Sequence, residues 1–198
     1  MTAPGRGLAL GIAAMAAVVT ASNVLVQVPI NDWLTWGAFT YPLAFLVTDL
    51  SNRWMGPAAA RRVVLAGFVL AVALSAWGAG VRIAIASGTA FLVAQLLDVW
   101  VFDRLRRRLW WRAPLVSSLL GSAVDTGLFF TLAFAPGFAW LGQDAAWAAE
   151  PVPLFGLGPA VPFWIGLAIG DFAVKVALAL AALLPYRAAG ALAGTGRG

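Results

Sequence analysis

The stretch "TYPLAFLVTDLSNRW", Thr40 to Trp54, decides how this chain is read. From Tyr41 to Val47 every residue is apolar, yet Asp49 follows at once and Arg53 lies four positions later. On a water-facing helix an Asp followed by Arg at i+4 is an ordinary favourable pair. In an apolar run the same carboxylate needs a reason. The chain has 198 residues, 62% of them hydrophobic and only 11% charged. A soluble domain carries roughly 25% charged residues. Too little charge is present to cover a water-facing surface, and the mean hydropathy of +0.90 agrees. The class is an all-α integral membrane protein.

Cysteine and histidine are both missing. Disulfides, thiol nucleophiles, thiolate metal sites, histidine bases and histidine proton relays are therefore excluded together. The formal charge is +5. The cations cluster in short loops between apolar runs, which points to lipid head groups and not to nucleic acid. No phosphate loop is present, and nothing calls for a cofactor or a metal.

Six runs approach the ~20 apolar residues that a spanning helix needs. They are about 8–28, 36–54, 61–80, 83–103, 113–135 and 162–184, forming a single transmembrane domain over residues 1–198. Residues 8–20 also fit a signal-peptide core, but the apolar run continues to Val28, which favours a retained span. Eleven of the thirteen cations fall on one side: Arg6, Arg53, Arg61, Arg62, Arg104, Arg106, Arg107, Arg108, Arg112, Arg187 and Arg197. The positive-inside rule then places both termini in the cytoplasm. Arg82 and the acids Asp32, Asp144 and Glu150 are left outside. Trp110 and Trp111 read as an interfacial belt. The long connection 136–161 suits either a lid over an outer cavity or a passive loop.

Four of the spans each carry an acid. Asp171 and Lys175 lie one turn apart near the bilayer centre, where an ionised side chain costs at least ~2.5–3.5 kcal/mol. Gly166 and Gly170 in the same span have the spacing that admits a close-packed neighbour. Asp49 has Arg53 one turn away. Asp98 and Asp125 have no cation on their own helices. Asp98 shares a face with Gln95, and Asp125 with Ser118, Gly121 and Ser122. Lys175 reaching across, a proton, or a ligand would satisfy them. Pro42 removes a backbone donor inside the second span, so a bend is expected there. Asn23 and Gln27 put amides in the outer third of the first span.

Carboxylates, amides and aromatic rings around one cavity suit a flat polar heterocycle. One carboxylate accepts both N–H groups of a guanine-like edge, and ring stacking adds roughly 1–3 kcal/mol per base. An intramembrane aspartyl enzyme built on Asp98 and Asp125 is an alternative. Another is a substrate-binding subunit of an energy-coupling-factor importer.

The segments "TWGAFTYPLAFLVTDL" (35–50), "GPAAARR" (56–62), "AQLLDVWVFDRLR" (94–106), "WWRAPLVSSLLGSAVDT" (110–126) and "DFAVKV" (171–176) resemble successive signatures of the VUT family. These are bacterial queuosine-precursor transporters. The resemblance implies uptake of 7-cyano-7-deazaguanine or its 7-aminomethyl relative across the inner membrane, and no enzymatic activity. The positions that match the family's polar motifs are Asn23, Trp36, Thr40, Asp49, Arg53, Gln95, Asp98, Ser118, Asp125, Asp171 and Lys175. On this reading Asp125 or Asp98 grips the guanine-like edge, Gln95 and Asn23 supply amide contacts, and Trp36 stacks. Thr40 and Ser118 join that substrate set. Asp171 with Lys175, and Asp49 with Arg53, serve as structural or switching ion pairs. Where some relatives have histidine or asparagine, this chain has Trp100 and Ser122. The expected partners are the small-molecule substrate and membrane lipid, with no nucleic acid. A homo-oligomer is left open.

Overall fold

The computed structural model describes residues 3–107, 109–142 and 146–195. Arg108, Asp144 and Arg197, counted above, lie outside them. The first helix, α1 (Ala3–Leu25), is followed by a small hairpin, β1 (Pro29–Asn31) and β2 (Leu34–Thr35). Asn31 closes that turn: its Oδ1 accepts from the amides of Trp33 and Leu34, both at 2.9 Å, as asparagine commonly does in turns. The chain then enters α2 (Gly37–Thr40), α3 (Leu43–Met55), α4 (Pro57–Gly78), α5 (Val81–Leu105) and α6 (Arg112–Phe134). A 3-10 turn (Pro136–Leu141), the one-turn helix α7 (Ala146–Ala149) and a second hairpin, β3 (Pro151–Pro153) and β4 (Ala160–Pro162), lead to α8 (Phe163–Thr195).

Among the described residues, five helices are long and apolar enough to cross a membrane: Gly5–Leu25, Pro57–Gly78, Val81–Leu105, Arg112–Phe134 and Phe163–Ala189. The expected second span, 36–54, is not one continuous helix. It is interrupted between Thr40 and Leu43, where Pro42 has no N–H to give to the carbonyl of Ala38. The first span stops at Leu25, short of the expected Val28, because the chain turns into β1. The last runs past the expected Leu184 with Pro185 inside it.

Tight turns set helices against one another. Gly56 (φ 83°) separates α3 from α4, and Gly80 (φ 89°) separates α4 from α5. Both occupy the left-handed region that glycine enters without steric cost. Pro57 then fits the first turn of α4. The core between α1, α3, α4 and α5 is built from Met15, Val19, Ala44, Val63, Val64, Phe91 and Val99. α6 packs on α5 and α8, its Gly121 leaving room for the Phe45 ring and the Ala94 carbonyl. Met15 and Val19 are buried against other helices, so α1 packs as part of the bundle.

The GxxxG pair in α8 receives the first hairpin, not another helix. A methyl on Gly166 would strike the Trp33 ring, and Gly170 faces Leu34. Trp33 also packs on Phe155 of the 136–161 connection and on Phe163, with ring centroids 5.3 and 5.0 Å apart. The two hairpins are thus joined through one indole. At the same end Arg82 is buried and donates to the carbonyls of Leu132 and Ala135, at 3.0 and 2.8 Å. Those carbonyls are among the last four of α6, which have no partner within their own helix, and a cation there also complements the helix dipole.

Candidate functional site

A cavity of about 280 Å³ opens between α1, α4, α5, α6 and α8, in the half of the bundle that carries the hairpins. Trp33, Leu34 and Thr35 form part of its rim, and Phe129, Phe130, Phe134 and Tyr41 supply aromatic wall. On one side Asn23, Ser75 and Ser87 form a hydrogen-bonded chain across three helices. Ser87 donates to Ser75 (3.1 Å), and Ser75 donates to Asn23 Oδ1 (3.0 Å). One of the two N–H groups of the Asn23 amide donates to the Val19 carbonyl at 2.9 Å.

The opposite side carries the charge. Lys175 Nζ lies 2.7 Å from Asp125 Oδ2, 2.5 Å from Asp171 Oδ2 and 3.0 Å from the Thr126 hydroxyl. Its three N–H groups are therefore all used. Thr126 in turn donates to Asp171 at 2.7 Å. The Tyr41 ring faces the ammonium with its centroid 5.7 Å away. Two carboxylates share one cation, so the node is negative when all three groups are ionised. Asp171 is its most open member, with 17% of its side chain exposed against 4% for each partner. Such a node can accept hydrogen bonds from a ligand's N–H edge, and charge-assisted bonds of this kind are strong.

A second acidic site lies deeper, toward the arginine-rich end. Ser117 and Ser118 of α6 donate to the two oxygens of Asp49, at 3.2 and 3.3 Å. The carboxyl of Asp98 sits beside that of Asp49, with Ser117 close to both. Two cross-links hold α3 to α5 around them: Thr48 donates to Gln95 Oε1 (2.6 Å), and Asn52 to the Val99 carbonyl (3.0 Å).

Residues 35–79 and 73–189 match a family model described as "Putative vitamin uptake transporter". The chain belongs to that family. Among relatives of this VUT protein is the "Queuosine precursor transporter" of Escherichia coli (strain K12), 36% identical over 192 residues, covering 85% of this chain and 79% of the relative. The "Probable queuosine precursor transporter" of Haemophilus influenzae (strain ATCC 51907 / DSM 11121 / KW20 / Rd) is 37% identical over 153 residues, covering 59% and 65%. The protein of the same description from Bacillus subtilis (strain 168) is 28% identical over 180 residues, covering 77% and 69%. No solved structure matches. Family and helices together make this VUT protein a multi-pass transporter of the bacterial inner membrane, not an enzyme.

The sequence-predicted residues divide between the two sites. Asn23, Asp125, Asp171 and Lys175 reach the cavity. Asp98, Gln95 and Ser118 do not line it; they belong to the deeper site at the α3–α5–α6 junction. Trp36 is exposed beside Phe39, and Thr40 bonds back to the Gly37 carbonyl, so neither faces the cavity. Asp98 and Asp125 form no dyad, because each is occupied with a different neighbour. The expected Asp49–Arg53 pair is absent as well. The Arg53 guanidinium turns to Tyr186 of α8, 4.6 Å from the ring centroid, and its Nη1 donates to the Tyr186 carbonyl at 3.4 Å. Serine hydroxyls satisfy Asp49 in its place. Tyr41, Thr126, Trp33, Ser75 and Ser87 were missed. Thr126 adjoins Asp125 in the chain and was within reach of a sequence reading; single serines in apolar helices carry no such signal.

Proposed function

We propose that this chain imports a queuosine precursor, a 7-deazaguanine derivative such as 7-cyano-7-deazaguanine, through the cavity between its helices. The relatives' names supply the substrate class, and one observation carries the site: the Lys175–Asp125–Asp171 node set in an aromatic-walled cavity. A volume of about 280 Å³ sits near the lower limit for small-molecule sites, which suits a bicyclic base better than a nucleotide. Asp171 and Asp125 accept the N1–H and amino group of the guanine-like edge. Lys175 holds both carboxylates in place and stays near the substrate carbonyl. Tyr41, Phe129 and Phe130 stack on the ring face. Asn23 shapes the far wall through its serine chain.

The proposal includes a single domain with six crossings and both termini in the cytoplasm. The broken pair α2–α3 supplies the sixth crossing: residues 37–55 would span about 28 Å at 1.5 Å per residue, close to the hydrocarbon thickness of roughly 30 Å. The arginine-rich loops then face inward, and the cavity faces the periplasm. The test is uptake in bacteria that cannot make queuosine precursors. Added 7-cyano-7-deazaguanine should restore queuosine in tRNA only when this chain is expressed. Asp125→Ala and Asp171→Ala should each block rescue while the protein remains in the membrane. Rescue by both variants would remove the node from the substrate path.

A further inference from the structure

Lys175 lines two spaces. One is the cavity; the other is a pocket of about 20 Å³ between α3, α6 and α8, with Asp49, Ser118, Ser122 and Tyr186 on its walls. That is room for about one water molecule. Behind it Asp49 and Asp98 stand side by side, 2% and 0% exposed. Both oxygens of Asp98 are buried without a hydrogen-bond donor among the described residues, and so is Oδ1 of Asn52.

On α3, α5, α6 and α8 no cation pairs with either acid among the described residues. On α3 Arg53 is turned toward Tyr186. On α5 Asp103 lies 3.1 Å from Arg106 at the helix end. On α6 the groups that face the pair are the hydroxyls of Ser117 and Ser118. On α8 Lys175 has all three N–H groups engaged, and Tyr186 is a neutral phenol that binds Arg53 through its ring. Two ionised carboxylates in contact, desolvated and without a cation, are untenable. What the site lacks is a donor. A proton is the smallest donor available: it forms an O–H on Asp98 that bonds to Asp49, and it leaves to water when the pair separates. A hard metal ion would need six or more oxygen ligands, and no cluster of three or more acidic side chains occurs among the described residues.

We propose that Asp49 and Asp98 form a proton-binding site that couples proton movement to transport, linked to the substrate cavity through Lys175 and α6. This rests on the transporter reading above. Ser118 and Asp125 lie seven residues apart on α6, about 10 Å along the helix, so one rigid element touches both sites. The protonated pair lets α3, α5 and α6 close on one another. Loss of the proton leaves like charges that drive them apart, and α6 carries that displacement to Asp125.

The test uses the purified full chain in sodium-free lipid vesicles, with radiolabelled 7-cyano-7-deazaguanine as the probe. Exchange of labelled for unlabelled substrate without any gradient tests the transporter reading alone. An imposed pH gradient should then drive accumulation of up to about tenfold per pH unit at one proton per substrate, and a protonophore should abolish it. Exchange without pH-driven accumulation, or accumulation driven only by a sodium gradient, overturns the proton site and leaves the transporter reading intact. Absence of exchange sinks that reading and the proposal with it. Infrared spectra of the wild type give a second arm: a protonated-carboxyl band should be present and should vanish when both acids are replaced together, Asp49→Asn with Asp98→Asn. A band that survives the double substitution, or is absent from the wild type, overturns the proposal. In whichever variant folds, the pH dependence of exchange should flatten.

Discussion

The two acidic sites meet the same problem in opposite ways. At the cavity, Asp125 and Asp171 share the Lys175 ammonium, and Thr126 accepts from Lys175 and donates to Asp171. At the α3–α5–α6 junction, two serine hydroxyls donate to Asp49, and the Asp98 oxygens have no donor among the described residues. The first is an ion-paired network that holds its charge and presents it to a cavity. The second is buried more deeply, with no cation paired to it among the described residues. Paired charge can be kept permanently in low dielectric; unpaired charge must be neutralised or released. On the two proposals above, the first site keeps the constant role, gripping a ligand, and the second the changing role, gaining and losing a proton.

The sharpest way to break this contrast is Lys175→Met. It strands two carboxylates, so unfolding in detergent should show destabilisation of about 3–5 kcal/mol, and uptake should stop. Adding Asp125→Asn to Lys175→Met should recover much of the stability, because one stranded charge is gone, yet substrate binding should stay lost. If the single variant were as stable as the wild type, the node would not be the charge-balanced unit described. Asp98→Asn should behave differently. A neutral amide replaces a carboxyl that is already protonated in the resting pair, so stability should change by less than about 1 kcal/mol. A loss as large as that of Lys175→Met would mean Asp98 holds a charge in the folded protein.

The contrast also marks what the sequence could and could not reveal. Composition and the spacing of apolar runs carried the membrane class and five of the helices, because lipid leaves helices and closed barrels as the only spanning structures. The break in the second span was legible in Pro42. The Asp171–Lys175 contact was legible in its i+4 spacing. The same spacing failed for Asp49 and Arg53. A side chain's local neighbour is fixed by the helix, but its choice between that neighbour and a distant one is not. Arg53 lies near the arginine-rich end of the bundle, where the Tyr186 ring of α8 is within its reach. Which acids share a site depends on which helices touch, and no periodicity within one helix records that. Hence Asp98 was grouped with Asp125 when it belongs with Asp49.

A milder perturbation acts on the cavity rim. Trp33 ties both hairpins to Phe155 and Phe163 and fills the groove over Gly166. Trp33→Ala removes two aromatic contacts, each contributing about 0.5–1.5 kcal/mol. Substrate affinity should fall by roughly tenfold, which corresponds to about 1.4 kcal/mol. Uptake by a gripping node that needs no rim would be unchanged, so affinity measured by equilibrium binding separates a shaped cavity from an open cleft.

The smallest effect is expected at the arginine-rich end, where α8 meets α3. The Leu43, Leu46, Leu178 and Leu183 side chains line the narrow pocket there with Tyr186, on whose ring Arg53 stacks. Tyr186→Leu keeps an apolar filler and the backbone carbonyl that Arg53 reaches, and loses the ring's contacts with the Arg53 guanidinium and with Phe102, each about 0.5–1.5 kcal/mol. Equilibrium affinity at the distant cavity should not move. If this contact holds the arginine-rich end shut, its loss should speed substrate exchange several-fold, because opening α8 away from α3 then costs less. An unchanged exchange rate would show that the apolar seal alone keeps this end closed, and would leave Arg53 as a helix anchor and not a latch.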